Sequence, residues 1–149
     1  MKPHLIGLVG AGYLSRSFVA RLPALPERLG PVLAPSYRLS SRLVNALRAG
    51  HPVERYDELE EAHLVLIAVP VNILAQVVEG LADGVSDWKG KFVLLCESRE
   101  DCTALAPLVA RGALAASMDP IPGLNQRFVV EGDRKAVREA RSLLGHSAA

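Results

Sequence analysis

A single-domain, doubly wound α/β fold with a mostly parallel sheet is what this sequence predicts. Three observations carry the prediction. Short continuous apolar runs alternate with stretches of helical spacing. The strongest run, "LVLIAVP", is closed by a proline, and the first run feeds directly into a glycine turn. Continuously apolar strands are those covered on both faces, as parallel strands are, and right-handed crossovers then place helices on both sides of one sheet. The chain has 149 residues, 50% of them hydrophobic and only 5% aromatic, which suits one domain with an aliphatic core.

The elements follow in order. "HLIGLVG" reads as a buried first strand and "LSRSFVARL" as the helix after it. "PVLA", 31–34, is a short second strand. "SSRLVNALRAG" is a helix with Leu43, Val44 and Leu47 on one face and Gly50 as its stop. "HPVER" is a weak third strand, and the acidic "DELEEA", 57–62, a solvated short helix. "HLVLIAVP", 63–70, is the central strand. "VNILAQVVEGLAD" then sets Val71, Leu74, Val77, Val78 and Leu81 at helical spacing. "KFVLLCES" is the next buried strand. "DCTALAPLVARG" is a helix that Pro107 should begin or bend. "ALAASM" is a sixth, weaker strand, and "RFVVEG" a strand after a Pro-rich loop. "DRKAVREARSLLG" closes the chain as a helix with Asp133 as N-cap and Gly145 as stop.

Composition narrows the function. A formal charge of +1 gives no electrostatic reason to expect nucleic acid. No apolar run reaches the roughly 20 residues of a membrane span, so no membrane partner is expected. The N-terminal apolar stretch runs into a glycine turn too soon for a signal peptide. Two cysteines are too few for a disulfide scaffold, and the expected compartment is the cytoplasm. His4, His51, His63 and His146 are scattered without ligand spacing, so no metal site is expected.

The glycine turn carries the chemistry. It spells Gly10-x-Gly12-x-x-Ser15, with Tyr13 and Leu14 between. In a dinucleotide-binding loop the first glycine permits the tight turn, and the second is bare where the pyrophosphate comes closest. The third position must be small because the helix packs on the first strand there. Ser15 is larger than glycine by one hydroxymethyl group and weakens the match without spoiling it. The helix N-terminus still presents N–H groups and positive potential to a phosphate. The string alone is weak evidence, but it follows a strand and opens a helix, which is the required context. The alternative is a loop that keeps the turn and binds nothing. After the second strand, NAD sites place an acid for the ribose 2′-hydroxyl. Here no acid occurs between Gly30 and Asn45, and Ser36, Arg38 and Arg42 stand there instead. A hydroxyl and two guanidinium groups suit a 2′-phosphate, which favours NADP over NAD. The alternative is two solvated arginines on a surface helix.

Five segments in order, "GLVGAGYLSRSFVARL", "HLVLIAVPVNILAQVVEGLA", "KFVLLCES", "LAPLVARGALAASMDPI" and "FVVEGDRKAVREARSLLG", carry a family resemblance. Over nearly its whole length the chain resembles the N-terminal Rossmann domain of a bacterial family of oxidoreductases of unknown substrate. That family is related to pyrroline-5-carboxylate reductase, prephenate dehydrogenase and the deazaflavin-dependent NADP oxidoreductases. The resemblance implies that Val69 and Pro70 lie over the cofactor's middle, and that Cys96, Glu97 and Ser98 lie near the nicotinamide. Two motifs depart from the family. Glu97-Ser98 replaces Ser-Gly, and Asp119-Pro120 replaces His-Pro. The family also continues into a helical dimerisation domain, whereas this sequence reads as one NAD(P)-binding domain over 1–149 with that domain absent.

Other candidates have plainer explanations beside them. Cys96 could be a reactive thiol, but a cysteine ending a buried strand is more often a small core hydrophobe. Cys102 stands at a helix start and forms no CxxC with Cys96. Glu97 and Asp119 could pair for acid–base work, or each could cap a turn. No catalytic residue is assigned. The functional expectation is an NADP(H)-binding oxidoreductase module that moves hydride to or from a small carbonyl or imine. A partner chain, either a homodimer mate or a separate helical domain, would complete its site. Ile121, Pro122 and Leu124 are the apolar loop residues that such a partner would cover. The alternative class is a non-catalytic nucleotide sensor or partner-binding module that keeps the fold.

Overall fold

The computed structural model describes residues 5–11, 22, 24–96, 100–120 and 128–144. Its seven strands are β1 (Ile6–Gly10), β2 (Leu29–Leu33), β3 (His51–Val53), β4 (Leu64–Ala68), β5 (Phe92–Cys96), β6 (Leu114–Pro120) and β7 (Phe128–Gly132). They form one sheet in the order β3-β2-β1-β4-β5-β6-β7. The strands from β3 to β6 pair in parallel, and only β7 runs antiparallel, against β6. The described α-helices are α1 (Tyr37–Leu47), α2 (Val71–Gly84), α3 (Ala106–Val109) and α4 (Arg134–Leu144). The expected helix over 14–22 lies outside the described residues apart from buried Leu22.

Side-chain parity along each strand splits the core into two faces. On β4, Leu64, Leu66 and Ala68 pack with Leu43 of α1 and with Ala136, Ala140, Leu143 and Leu144 of α4. The alternate residues Val65, Ile67 and Val69 pack with Leu74, Val77, Val78 and Leu81 of α2 and with Leu105 and Leu108. Helices therefore cover both faces, and the fold is the doubly wound α/β class that the alternation predicts. Among the described residues no helix is long and apolar enough to cross a membrane.

Local chemistry sets the element ends. Ser36 caps α1, its hydroxyl accepting the Leu39 N–H at 3.2 Å. The helix stops at Arg48 rather than at Gly50. Arg48 takes the left-handed conformation (φ 55°), and its N–H returns to the Val44 carbonyl at 2.8 Å. β3 is only three residues long and contains Pro52, which an edge strand tolerates. Asp133 caps α4 by accepting from the N–H groups of Lys135 and Ala136 at 2.9 and 3.1 Å, while Gly145 lies outside the described residues. Pro107 enters near the start of α3, after a 3₁₀ turn over Cys102–Leu105 that Asp101 caps. Gly132 is required where β7 meets β6. Its φ is 140°, and an added Cβ would lie 2.5 Å from the Ala115 carbonyl oxygen.

Two expectations need correction. Val71 is 57% exposed, because it opens α2 before the helix has turned onto the sheet, so the buried stripe begins at Leu74. The segment 57–62 is not simply solvated. It contains part of a 3₁₀ turn (Tyr56–Leu59), with Leu59 and Ala62 fully buried. Its Glu60 carboxylate accepts the Ser86 N–H and hydroxyl, both at 2.6 Å. Burial pushes the Glu60 carboxyl up, but the bonds from Ser86 and Asp87 and the charge of Lys91 outweigh it and hold the carboxyl below its usual range. The Lys91 ammonium donates to the carbonyls of Glu60 and Ala62 at 2.6 and 2.7 Å, anchoring this corner to the start of β5.

Candidate functional site

The strand order reverses between β1 and β4, whose connections leave toward opposite sides. In an open parallel sheet, ligands bind in the crevice at such a point, beyond the carboxyl ends of the strands. A cleft of ≈ 280 Å³ lies there. Val9 and Gly10 of β1 and Leu33, Ala34 and Pro35 at the end of β2 form one side. Val69, Ile73 and Val77 form the side toward α2. Three residues with polar groups, Glu54, Tyr56 and Gln76, complete the lining. The lining mixes apolar side chains with polar ones, so it offers both packing and hydrogen-bonding groups to a small molecule. Burial pushes the Tyr56 phenol above its ordinary range.

The β2–α1 corner is built by a residue that sequence reasoning missed. Ser40 is fully buried in α1. Its hydroxyl accepts the Ala34 N–H at 2.8 Å and donates to the Ser36 carbonyl at 3.2 Å, which fastens the corner to the helix. A serine one turn into a helix looks like a surface residue in sequence, and only the fold shows what it closes. Ser40→Ala leaves the buried Ala34 N–H unpaired and should lower stability by about 1–3 kcal/mol. Urea denaturation measures this, and a variant as stable as the wild type would remove Ser40 from that role.

The β2–α1 segment carries two arginines and no acid of its own between Gly30 and Asn45. α1 has no acidic residue in its first turn, so its N-terminal potential is uncompensated there. Arg38 and Arg42 are exposed and one turn apart, and among the described residues neither makes an ion pair. The helix begins at Tyr37, so the two arginines do share a face. Ser36 has committed an acceptor site to the cap, which leaves its O–H proton to donate.

The remaining sequence-derived residues are distributed as follows. Gly10 and Val69 line the cleft, and Pro70 is exposed at the N-cap of α2. Gly12, Tyr13, Leu14, Ser15, Glu97 and Ser98 lie outside the described residues, as do Ile121, Pro122 and Leu124. The Cys96 thiol is fully buried in the core shared with α1 and α4, 3.5 Å from the Leu94 carbonyl. Its side chain packs in the core at the end of β5. Cys102 is half-buried and Asp119 only partly exposed. Among the described residues no group of three or more metal-ligating side chains occurs. His63 packs edge-on against Phe92 at the opposite end of β4, 5.2 Å between ring centroids.

An open, mostly parallel sheet with helices on both faces and a cleft at its switch point defines a doubly wound α/β domain. The chain belongs to the Rossmann-like domain family, whose model matches residues 6–120. No curated protein sequence matches it. Among solved structures it is similar to 3-hydroxyisobutyrate dehydrogenase of Mycobacterium tuberculosis, with a TM-score of 0.75 at 17% identity, covering 97% of this chain and 52% of that one. It is also similar to a reductive aminase of Aspergillus terreus solved with NADPH and ethyl levulinate. That match has a TM-score of 0.72 at 14% identity and covers 95% and 51% of the two chains. An imine reductase of the same organism matches with a TM-score of 0.73 at 15% identity, over 97% and 52%. The chain spans about half the length of these proteins.

Proposed function

We propose that this chain binds NADP(H) in the crevice and serves as the nucleotide-binding part of an oxidoreductase that acts on a small carbonyl or imine. The observation that carries the reading is the switch-point cleft beside a β2–α1 segment that carries Ser36, Arg38 and Arg42 and no acid of its own. The fold shared with reductases solved with NADPH supports it. In this reading Gly10 and Gly12 let the backbone approach the pyrophosphate, and Val69 and Pro70 flank the cofactor's middle. Ser36, Arg38 and Arg42 hold the 2′-phosphate. The cofactor supplies the hydride, and the chain supplies orientation and electrostatics. A second body, a partner copy or a helical domain, covers the nicotinamide end and excludes water.

Calorimetric titration tests the cofactor choice. NADPH should bind on the order of tenfold tighter than NADH, since charge-assisted contacts to a phosphate are only partly screened at an exposed corner. Arg38→Ala should erase most of that preference and leave NADH binding nearly unchanged. Rising salt should shrink it as well. Equal affinities in the wild type, or tighter binding of NADH, would make these arginines ordinary surface charges. Turnover of a carbonyl and imine panel separates the catalytic reading from a nucleotide sensor. Reduction should require the covering body, so rapid turnover by a dilute monomer would overturn that requirement. Tight binding without turnover in any assembly would favour the sensor.

A further inference from the structure

The outward side of α3 is apolar where a surface helix is ordinarily polar. The run "ALAPLVA", 104–110, has no polar side chain and includes all of α3. Leu105 and Leu108 are fully buried on the sheet. Ala106, Pro107, Val109 and Ala110 are exposed, Val109 by 48%. A helix that is apolar on every side has the pattern of a buried one, and an apolar patch left in water marks a contact surface.

Between α3 and α2 runs a groove of ≈ 550 Å³. Its apolar lining includes Ala75 and Val78 of α2 and, facing them, Pro107 and Ala110. Glu79 and Asp83 stand on its α2 side, one turn apart, and Arg111 stands on the other. Carboxylates at this spacing on a helix repel each other. Arg111 meets Asp83 at 3.7 Å, with both side chains more than half exposed. Among the described residues Glu79 has no ion pair. The groove is separate from the switch-point cleft, which takes Ile73, Gln76 and Val77 from α2.

β4, β5 and β6 are parallel, so α2 and α3, which connect them in turn, run in the same direction. A two-fold axis laid along the groove therefore sets α3 of one copy on α2 of the other, with like ends aligned. Each Arg111 then reaches the acidic rim of the other copy. A guanidinium has five N–H donors in a planar fork, so it can serve its own Asp83 and the partner's Glu79 together. The face thus carries both the apolar surface and the opposite charges that its own image requires, which selects a second copy as its occupant.

We propose that the α2–α3 face is a self-association surface. Two copies of this chain pack α3 against α2 about a two-fold axis, with Pro107, Val109 and Ala110 buried between them and Arg111 paired with the partner's Glu79. The proposal goes beyond the nucleotide reading and does not depend on it.

Sedimentation of the whole chain tests it. The wild type should dimerise with a Kd on the order of 10 μM. Val109→Asp should weaken the dimer by about tenfold or more, with an unchanged melting temperature. Glu79→Arg and Arg111→Glu should each weaken it by about fivefold, since each sets like charges across the interface. An equimolar mixture of these two variants should form a heterodimer within about threefold of the wild-type affinity, because both rim contacts then pair opposite charges. No contact within one copy gives that recovery. Amide hydrogen exchange over 104–111 should slow as concentration rises. If Val109→Asp fails to fold, the mixture of charge variants decides. A chain that stays monomeric to about millimolar concentration overturns the proposal. So does a dimer indifferent to Val109→Asp and to charge reversal, which would place the contact on another face. NADPH titration of the same samples reads the nucleotide claim separately.

Discussion

Gly12→Val should abolish dinucleotide binding, lowering affinity for NADPH by a factor on the order of a hundred or more, with little change in melting temperature. The glycine fingerprint places this residue where backbone and pyrophosphate come closest, so a branched side chain there occupies the space of the phosphate oxygens. Gly10, the preceding glycine of the fingerprint, ends β1 at the edge of the cleft, in the position the fingerprint requires. NADPH fluorescence titration measures the affinity, and circular dichroism melts measure the fold. A variant that binds like the wild type would detach the glycine turn from the nucleotide. A wild type that binds no dinucleotide at about millimolar concentration would refute the binding claim itself.

The second large effect is on stability. Trp88, the only tryptophan of the chain, is 1% exposed on the α2 face of the core, and its indole N–H donates to the Leu81 carbonyl at 3.1 Å. Trp88→Ala removes the largest buried side chain and leaves a cavity that rigid strands and a helix cannot close. The expected loss is about 3–5 kcal/mol. Because the variant has no tryptophan, urea unfolding is followed by far-ultraviolet circular dichroism. Val71→Ala, at a residue 57% exposed, should fall within about 0.5 kcal/mol of the wild type. A loss at Trp88 no larger than that at Val71 would mean that the α2 face is not a close-packed core.

The sheet was legible in the sequence because its signals are local. A strand buried on both faces must be apolar at every position, and β1, β4 and β5 are. Each of their described residues is buried, which is what runs such as "LVLIA" and "FVLLC" announce. The acid-free turn after β2 also lies within one short segment, whereas the cap at Ser36, one turn before the expected helix start, shows only in the structure. The direction of β7 was less accessible. A short run such as "FVVEG" reads the same whether its neighbour is parallel or antiparallel, and only the return of the chain against β6 decides it.

What the sequence by itself determined is therefore the fold class and the apolar strands it is built from, since each strand's signal lies within a few positions. What only the tertiary structure decided is the composition of the cleft. Glu54, Tyr56 and Gln76 come from a strand end, a 3₁₀ turn and a helix, and they converge because the β3–β4 connection packs on the glycines of α2. The Ser40 hydroxyl is buried for the same kind of reason, since the corner it closes exists only once β2 has paired with β1 and α1 has docked on the sheet. Contacts between residues distant in sequence are set by packing geometry, which no single segment encodes.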